Sequence, residues 1–360
     1  MKERLIALDV FRGMTIMLMI LVNNPGSWSY VYPPLEHADW HGCTPTDLVF
    51  PFFMFIIGVS MGFSIQKFDL PQNAFLYRAI KRGLIIMLIG YLMRLFPFMD
   101  IDFSTARIMG VLQRIGLAYI FAAIFINYFK QTQLIIISGV ILLGYWVLLY
   151  FGSDQPYSLE NSLVRKIDLA VIGADKLWHG KDIAFDPEGL LSTLPSIVTI
   201  LIGYFTSLEI IHKKSIKNLV KRLLIGGVIA IISGWIWGQF FPINKSIWTS
   251  SYVIYTAGFA LVILGLLLYL IDEMGYKKWT TIFVAFGRNP LFIFVLSGLW
   301  TKTILKLHWG DTNGYTGIFK HIFQPIAGNM NGSLLFAIAH VIMFGVVAWI
   351  LYRRNIIIKV

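Results

Sequence analysis

The 360-residue sequence has a single cysteine, Cys43, and few charges. One cysteine excludes an internal disulfide framework and any cysteine-based zinc site. Charged residues make up 14% of the chain, against about 25% in soluble domains, too few to clothe an ordinary water-facing surface. Soluble-enzyme signatures are missing: there is no Walker loop, no GxGxxG after a strand, no GxSxG and no HExxH. No cleavable signal is expected in MKERLIALDVFRGMTIMLMILVNNPG, because Asp9 and Arg12 interrupt its apolar run and no small-x-small site follows. No stretch reads as a separate soluble domain.

What the chain does have is apolar length. Residues are 57% hydrophobic and mean hydropathy is +0.71, which places the chain in the membrane. At about 20 apolar residues per crossing, ten helical spans are expected: 5–23, 48–66, 79–97, 107–128, 133–151, 193–210, 219–240, 250–271, 280–301 and 334–352. The expected fold is all-α and polytopic. An even number of spans puts both termini on one side. That side gathers Lys2, Arg4, Lys67, Arg78, Lys81, Arg82, Lys130, the KKSIKNLVKR run, Lys277, Lys278, Arg353, Arg354 and Lys359, for a net charge of +12 against −3 opposite. By the positive-inside rule the basic side, with the N- and C-termini, is cytoplasmic. The formal charge of +11 is thus a topology signal, and a nucleic-acid partner is rejected.

The long connections 24–47, 98–106, 152–192, 241–249 and 302–333 fall on the other side, where function tends to reside. In EHADWHGCTPTDLVFPFFMFIIGVS a polar cluster, His37, Trp40, His41 and Asp47, opens directly into the second span. A histidine can take and return a proton near neutral pH. His37 and His41 have a zinc-like spacing if helical, but no third ligand lies nearby and Pro45 argues for a loop, so no metal is expected. A solvated interfacial loop is the plainer reading of these residues alone.

Charges inside spans are costly and mark sites or structural ion pairs. Asp9 and Arg12 are helical neighbours. Arg114 lies about 10 Å along its span from Arg107, and Arg288 with Asn289 about 12 Å into the ninth span, where Pro290 breaks the helix. Three in-span arginines against one aspartate can accept an anion. Asn23 and Asn24 end the first span, Asp186 and Glu188 precede the sixth, and Asn244, Lys245 and Trp248 precede the eighth. Turn and cap chemistry explains DPEG as well as ligand binding does. His340, alone in the tenth span, reads as a packed histidine bonded to a neighbouring helix.

Five strings taken together, RLIALDVFRGMTIMLMILVNNPG, HADWHGCTPTDLVFPFFMFIIGVS, RIMGVLQRIGLAY, FDPEGLLSTLPSI with NKSIWTSSYV, and GRNPLFIFVLS, resemble the heparan-alpha-glucosaminide N-acetyltransferase family of transmembrane acyltransferases. The resemblance implies one transmembrane acyltransferase domain over 1–360 that uses cytoplasmic acetyl-CoA to acetylate a glucosamine amine across a bacterial inner membrane. It places the catalytic histidine on His37 and the active-site asparagine on Asn23. His41 stands where the lysosomal enzyme has asparagine and inherits no catalytic role. The lysosomal members' N-terminal luminal region and extra helix are not expected here. Arg78, Lys81 and Arg82 are expected to hold the CoA phosphates, with Arg12, Arg114 and Arg288 as further cofactor contacts. Trp40, Asp47, Asp186, Glu188, Lys245 and Trp248 are expected to meet the sugar. His37 acts as general base or acetyl carrier; the expected partners are an amino sugar and the lipid bilayer, with a homodimer left open. The rival reading is an amino-sugar transporter, against which no internal repeat relates the two halves of the chain.

Overall fold

In the computed structural model the described residues are 5–68, 72–99 and 101–358. Helix dominates: α1 (Ile6–Asn23), α2 (Val49–Phe68), α3 (Gln72–Leu95), α4 (Val111–Tyr128), α5 (Gln131–Phe151), α6 (Leu163–Val171), α7 (Thr193–Ile211), α8 (Ile216–Trp237), α9 (Ser250–Leu268), α10 (Thr281–Arg288), α11 (Pro290–Lys306), α12 (Gly314–Ile318) and α13 (Gln324–Arg353). The strands described are the two-residue β1 (His308–Trp309) and β2 (Thr312–Asn313), paired antiparallel.

Eight helical stretches among the described residues are long and apolar enough to cross a membrane. A ninth is the pair Lys278–Arg288 and Pro290–Lys306, bent by 71°. Pro290 causes the bend, since it has no N–H to donate and its ring collides with the preceding turn. A helix occupies every one of the ten expected spans, but the count by composition is lower: α3 carries Arg78, Lys81, Arg82 and Arg94 and falls short of the apolar criterion. Helix α4 starts at Val111 rather than 107, leaving Arg107 in the preceding loop.

The chain divides into two compact units. The first joins Met1–His37 and Thr44–Val49 with Leu266–Lys359, so it contains α1 and α10–α13. There α1 and α10 approach closely through glycine. A Cβ on Gly13 would lie 1.8 Å from the Phe283 carbonyl oxygen, and one on Gly287 would lie 2.1 Å from that of Asp9. Small residues allow such backbone contact where lipid provides no hydrophobic drive between helices. A second cluster, Ile304, Tyr315, Phe319 and Phe336, packs α11 and α12 against α13.

The second unit, Ala38–Cys43 with Phe50–Gly265, holds α2 to α9. Helices α2 and α7 repeat the glycine device: Gly58 faces the Ile200 carbonyl and Gly203 that of Phe55, where a Cβ would lie at 1.9 Å and 2.0 Å. Apolar side chains of α5 (Ile135, Ile136, Val140, Leu143) and α8 (Val228, Ile229, Ile232) stand exposed, a surface suited to lipid rather than water. The long connection 152–192 is folded. Its helix α6 buries Val164, which joins Tyr145, Leu149, Phe185, Phe241 and Ile247 in one apolar cluster.

Candidate functional site

His37 lies in the first unit, on the loop between α1 and α2, with its side chain about half exposed. Its Nδ1 is 2.7 Å from Oδ1 of Asp47, whose carboxylate is almost wholly buried. The local sequence explains why Asp47 is available. Thr44 and Asp47 form a capping box around the 3-10 turn Pro45–Leu48, with Pro45 at its first position. Asp47 Oδ2 accepts from the Thr44 backbone N–H at 3.1 Å and from the Thr44 hydroxyl at 3.2 Å. The other carboxylate oxygen is thereby left for the imidazole. An Asp carboxylate accepting Nδ1–H fixes the tautomer in which Nε2 carries the lone pair, the arrangement a general base requires.

Asn23 is the last residue of α1 and is exposed. Asn24 beside it is buried and committed: its Nδ2 donates to the Ile20 carbonyl at 2.8 Å, and its Oδ1 accepts from the Thr301 hydroxyl at 2.7 Å. A small apolar cleft runs beside this end of α1, lined by Leu21, Val22, Pro25, Tyr30, Leu35 and Leu334. Leu21, Val22 and Pro25 in its wall lie within two positions of Asn23, and Leu35 within two of His37.

The other expected sugar contacts lie in the second unit and have partners within the protein. The Trp40 indole donates to the Tyr157 carbonyl at 2.7 Å and its ring meets Phe185 edge-on. Trp248 is fully buried, bonded through Nε1 to Thr199 and stacked edge-on with Phe50 and Tyr252. Lys245 is half-buried at the turn before it. Asp186 and Glu188 are buried around Arg107, which donates to Asp186 through Nε at 2.8 Å and Nη2 at 2.7 Å, and to Glu188 at 2.6 Å. Burial works against the Arg107 charge, but the two carboxylates hold its pKa above the ordinary value. Turn chemistry and an internal ion cluster account for these acids.

Arg114, expected at a CoA phosphate, is fully buried in the first turn of α4. It donates to the Gly189 carbonyl and the Ser192 hydroxyl and lies over the Trp248 ring. Asp168 on α6 accepts from the Leu190 N–H at 2.9 Å, and burial, reinforced by nearby Asp186, pushes its pKa up to about 7. Arg107, Asp168 and Ser192 were not among the expected site residues. Their partners are tens of residues away in sequence, so no local spacing points to them.

Of the remaining cationic candidates, Arg12 is engaged in the first unit by Asp9 at 3.0 Å and the Gly287 carbonyl at 3.2 Å. Arg288 donates to Asn355 and stacks on Tyr352. In the second unit Arg78, Lys81 and Arg82 are exposed one helical turn apart on α3, with Arg82 also over the Tyr119 ring. Three cations on one exposed face suit a polyphosphate; the engaged Arg12 and Arg288 suit it less.

Residues 4–168 match the family model of the heparan-alpha-glucosaminide N-acetyltransferase catalytic region. Heparan-alpha-glucosaminide N-acetyltransferase from Homo sapiens is 26% identical over an alignment covering 100% of this chain and 60% of the human protein. The enzyme of that name from Mus musculus is 27% identical, over 81% of this chain and 53% of its own length. Over residues 4–168 the chain is similar to this family. It spans between half and two thirds of the length of these relatives. Within the matched segment lie α1 with Asn23, His37 with its Asp47, the basic face of α3, and Asp168.

Proposed function

We propose that this chain is a membrane-bound N-acetyltransferase, moving the acetyl group of acetyl-CoA to the amine of a glucosamine-type sugar. The reading assigns residues 1–360 to a single transmembrane acyltransferase domain. The basic side faces the cytoplasm and the sugar is met at the outer side of an inner membrane. The observation that carries the reading is the His37–Asp47 pair at 2.7 Å, on a loop inside the segment matched to the family's catalytic region.

With Nδ1–H donated to Asp47, Nε2 of His37 takes the proton of the sugar amine as the amine nitrogen bonds to the thioester carbonyl carbon. The carbonyl electron pair moves to oxygen, and the Asn23 amide donates to that oxyanion. The oxyanion then collapses, the C–S bond breaks, and CoA leaves as a thiol with the proton returned by His37. The same lone pair serves if His37 first carries the acetyl group and then passes it to the amine. Arg78, Lys81 and Arg82 bind the nucleotide phosphates as fixed cations. Asp47 orients His37 instead of touching the sugar.

The test is acetyl transfer by purified protein in detergent, with labelled acetyl-CoA and a panel of amino sugars. His37→Ala should lower the rate at least about a hundredfold while acetyl-CoA still binds. Transfer at the wild-type rate by that variant would remove the assignment. Wild-type protein that carries amino sugar into liposomes without consuming acetyl-CoA would make the chain a transporter.

A further inference from the structure

His41 has no part in the chemistry above, yet its ring is held more closely than a loop histidine needs. The side chain stands at the surface of the second unit, on the Ala38–Cys43 segment. The residues on either side are clamped: Gly42 N–H donates to the Ile243 carbonyl at 2.7 Å, and the Trp40 indole donates to Tyr157. The ring meets Asn244, which is fully buried. The backbone N–H of Asn244 donates to the Thr249 hydroxyl, and its Oδ1 accepts from the Ile247 N–H, each at 3.0 Å. The second of these bonds fixes which end of the amide is which. Its NH2 end must therefore be the one 3.3 Å from His41 Nδ1. An amide NH2 can only donate, so Nδ1 accepts and the proton of the neutral ring resides on Nε2.

Protonating the ring would set an N–H against an N–H at Asn244. Burial also lowers the His41 pKa, in the same direction. Of the nearby cations, Lys181 lies over the Trp40 ring and on the Asp39 carbonyl, and Lys245 follows Asn244 in the chain. Near neutral pH the ring is thus a neutral group of one fixed tautomer, and its Nε2–H makes no hydrogen bond with the described residues. His37 and His41 are four positions apart and hold opposite tautomers. Asp47 places the lone pair of His37 on Nε2, and Asn244 leaves His41 an outward N–H.

We infer that His41 is a specificity residue for the acceptor, its outward Nε2–H donating to an oxygen of the amino sugar. The inference rests on the acetyltransferase reading for its substrate class. A histidine that only staples two loops needs Nδ1 and nothing at Nε2, and that difference is testable. Asparagine reproduces the Nδ1 position of histidine and glutamine reproduces the Nε2 position. His41→Asn keeps the staple through its Oδ1 and loses the outward donor; His41→Gln keeps a donor outward and loses the staple.

Glucosamine binding and acetyl transfer are measured for both variants and the wild type, together with single-deoxy forms of the sugar. His41→Asn should weaken glucosamine binding and lower kcat/KM for it by about 3- to 10-fold, as expected for one neutral hydrogen bond, with KM for acetyl-CoA unchanged. His41→Gln should stay near wild type. For one deoxy sugar the loss in His41→Asn should vanish, because its bonding partner is already gone. Wild-type behaviour of His41→Asn, a loss confined to His41→Gln, or equal losses on every deoxy sugar would overturn the assignment. Binding is measured apart from transfer, so a wild type that binds glucosamine but transfers no acetyl group would refute the enzyme reading and still decide the role of His41.

Discussion

Replacing Asp47 with asparagine tests the catalytic reading with the smallest change of shape. Oδ2 of the side chain accepts from the Thr44 backbone N–H at 3.1 Å, and Oδ1 lies 2.7 Å from His37 Nδ1. A carboxylate accepts from both. An amide has one oxygen, and the Thr44 N–H, which cannot change its role, has first claim on it. The amide NH2 then faces His37, Nδ1 becomes the acceptor, and the imidazole proton moves to Nε2. The base is lost although every heavy atom stays in place. The expected loss in kcat is about 10²- to 10⁴-fold, or about 3–5 kcal/mol in the barrier at 1.36 kcal/mol per decade. Stability should change less, by about 1–3 kcal/mol for the altered hydrogen bonds, so the variant remains folded. The assay is initial-rate acetyl transfer in detergent, alongside thermal unfolding and acetyl-CoA binding. A folded Asp47→Asn protein within threefold of wild-type kcat would refute the argument that Asp47 sets the tautomer of His37.

Removing Arg107, as Arg107→Met, leaves Asp186 and Glu188 buried without their cation and should destabilise by about 3–5 kcal/mol; an unchanged unfolding midpoint would show that the cluster is not held by this pair. Asp168 has a folded-state pKa raised to about 7 from 3.8, so the folded protein binds more protons across that interval. Stability from this group is full at low pH and falls as pH rises from about 4 to 7, by on the order of a few kcal/mol. Asp168→Asn should therefore flatten the pH dependence of the unfolding midpoint and raise it most at pH 8; parallel profiles for the two proteins would be the contrary result. Neutralising Lys81 and Arg82 together should raise KM for acetyl-CoA and leave the sugar KM nearly unchanged, the signature of a lost uniform binding contact. An effect on the sugar alone would move the nucleotide site away from α3.

Membrane character, an all-α fold and the positions of ten helices are legible in the sequence, because each depends on runs of about 20 apolar residues that any window can see. The break at Pro290 is equally local, since proline's missing N–H acts on its own turn. The capping box that orients Asp47 is also written locally, in Thr44-Pro45-Thr46-Asp47. Only the tertiary structure decided what the polar side chains face. Asp186, Glu188 and Arg114 carry the same charges in any alignment of letters, yet Arg107 and Ser192 claim them in the fold. Trp40 and Trp248 are expected sugar contacts in sequence; in the structure Trp40 meets Phe185 edge-on and Trp248 is fully buried. The tautomers of His37 and His41 depend on Asp47 and Asn244, one supplied within ten residues and the other from 203 residues away. Periodicity reports how much of a segment avoids water; it carries no information about which buried charge meets which. Those pairings are set by hydrogen-bond geometry over a few ångströms, and the chain acquires that geometry only when its helices pack.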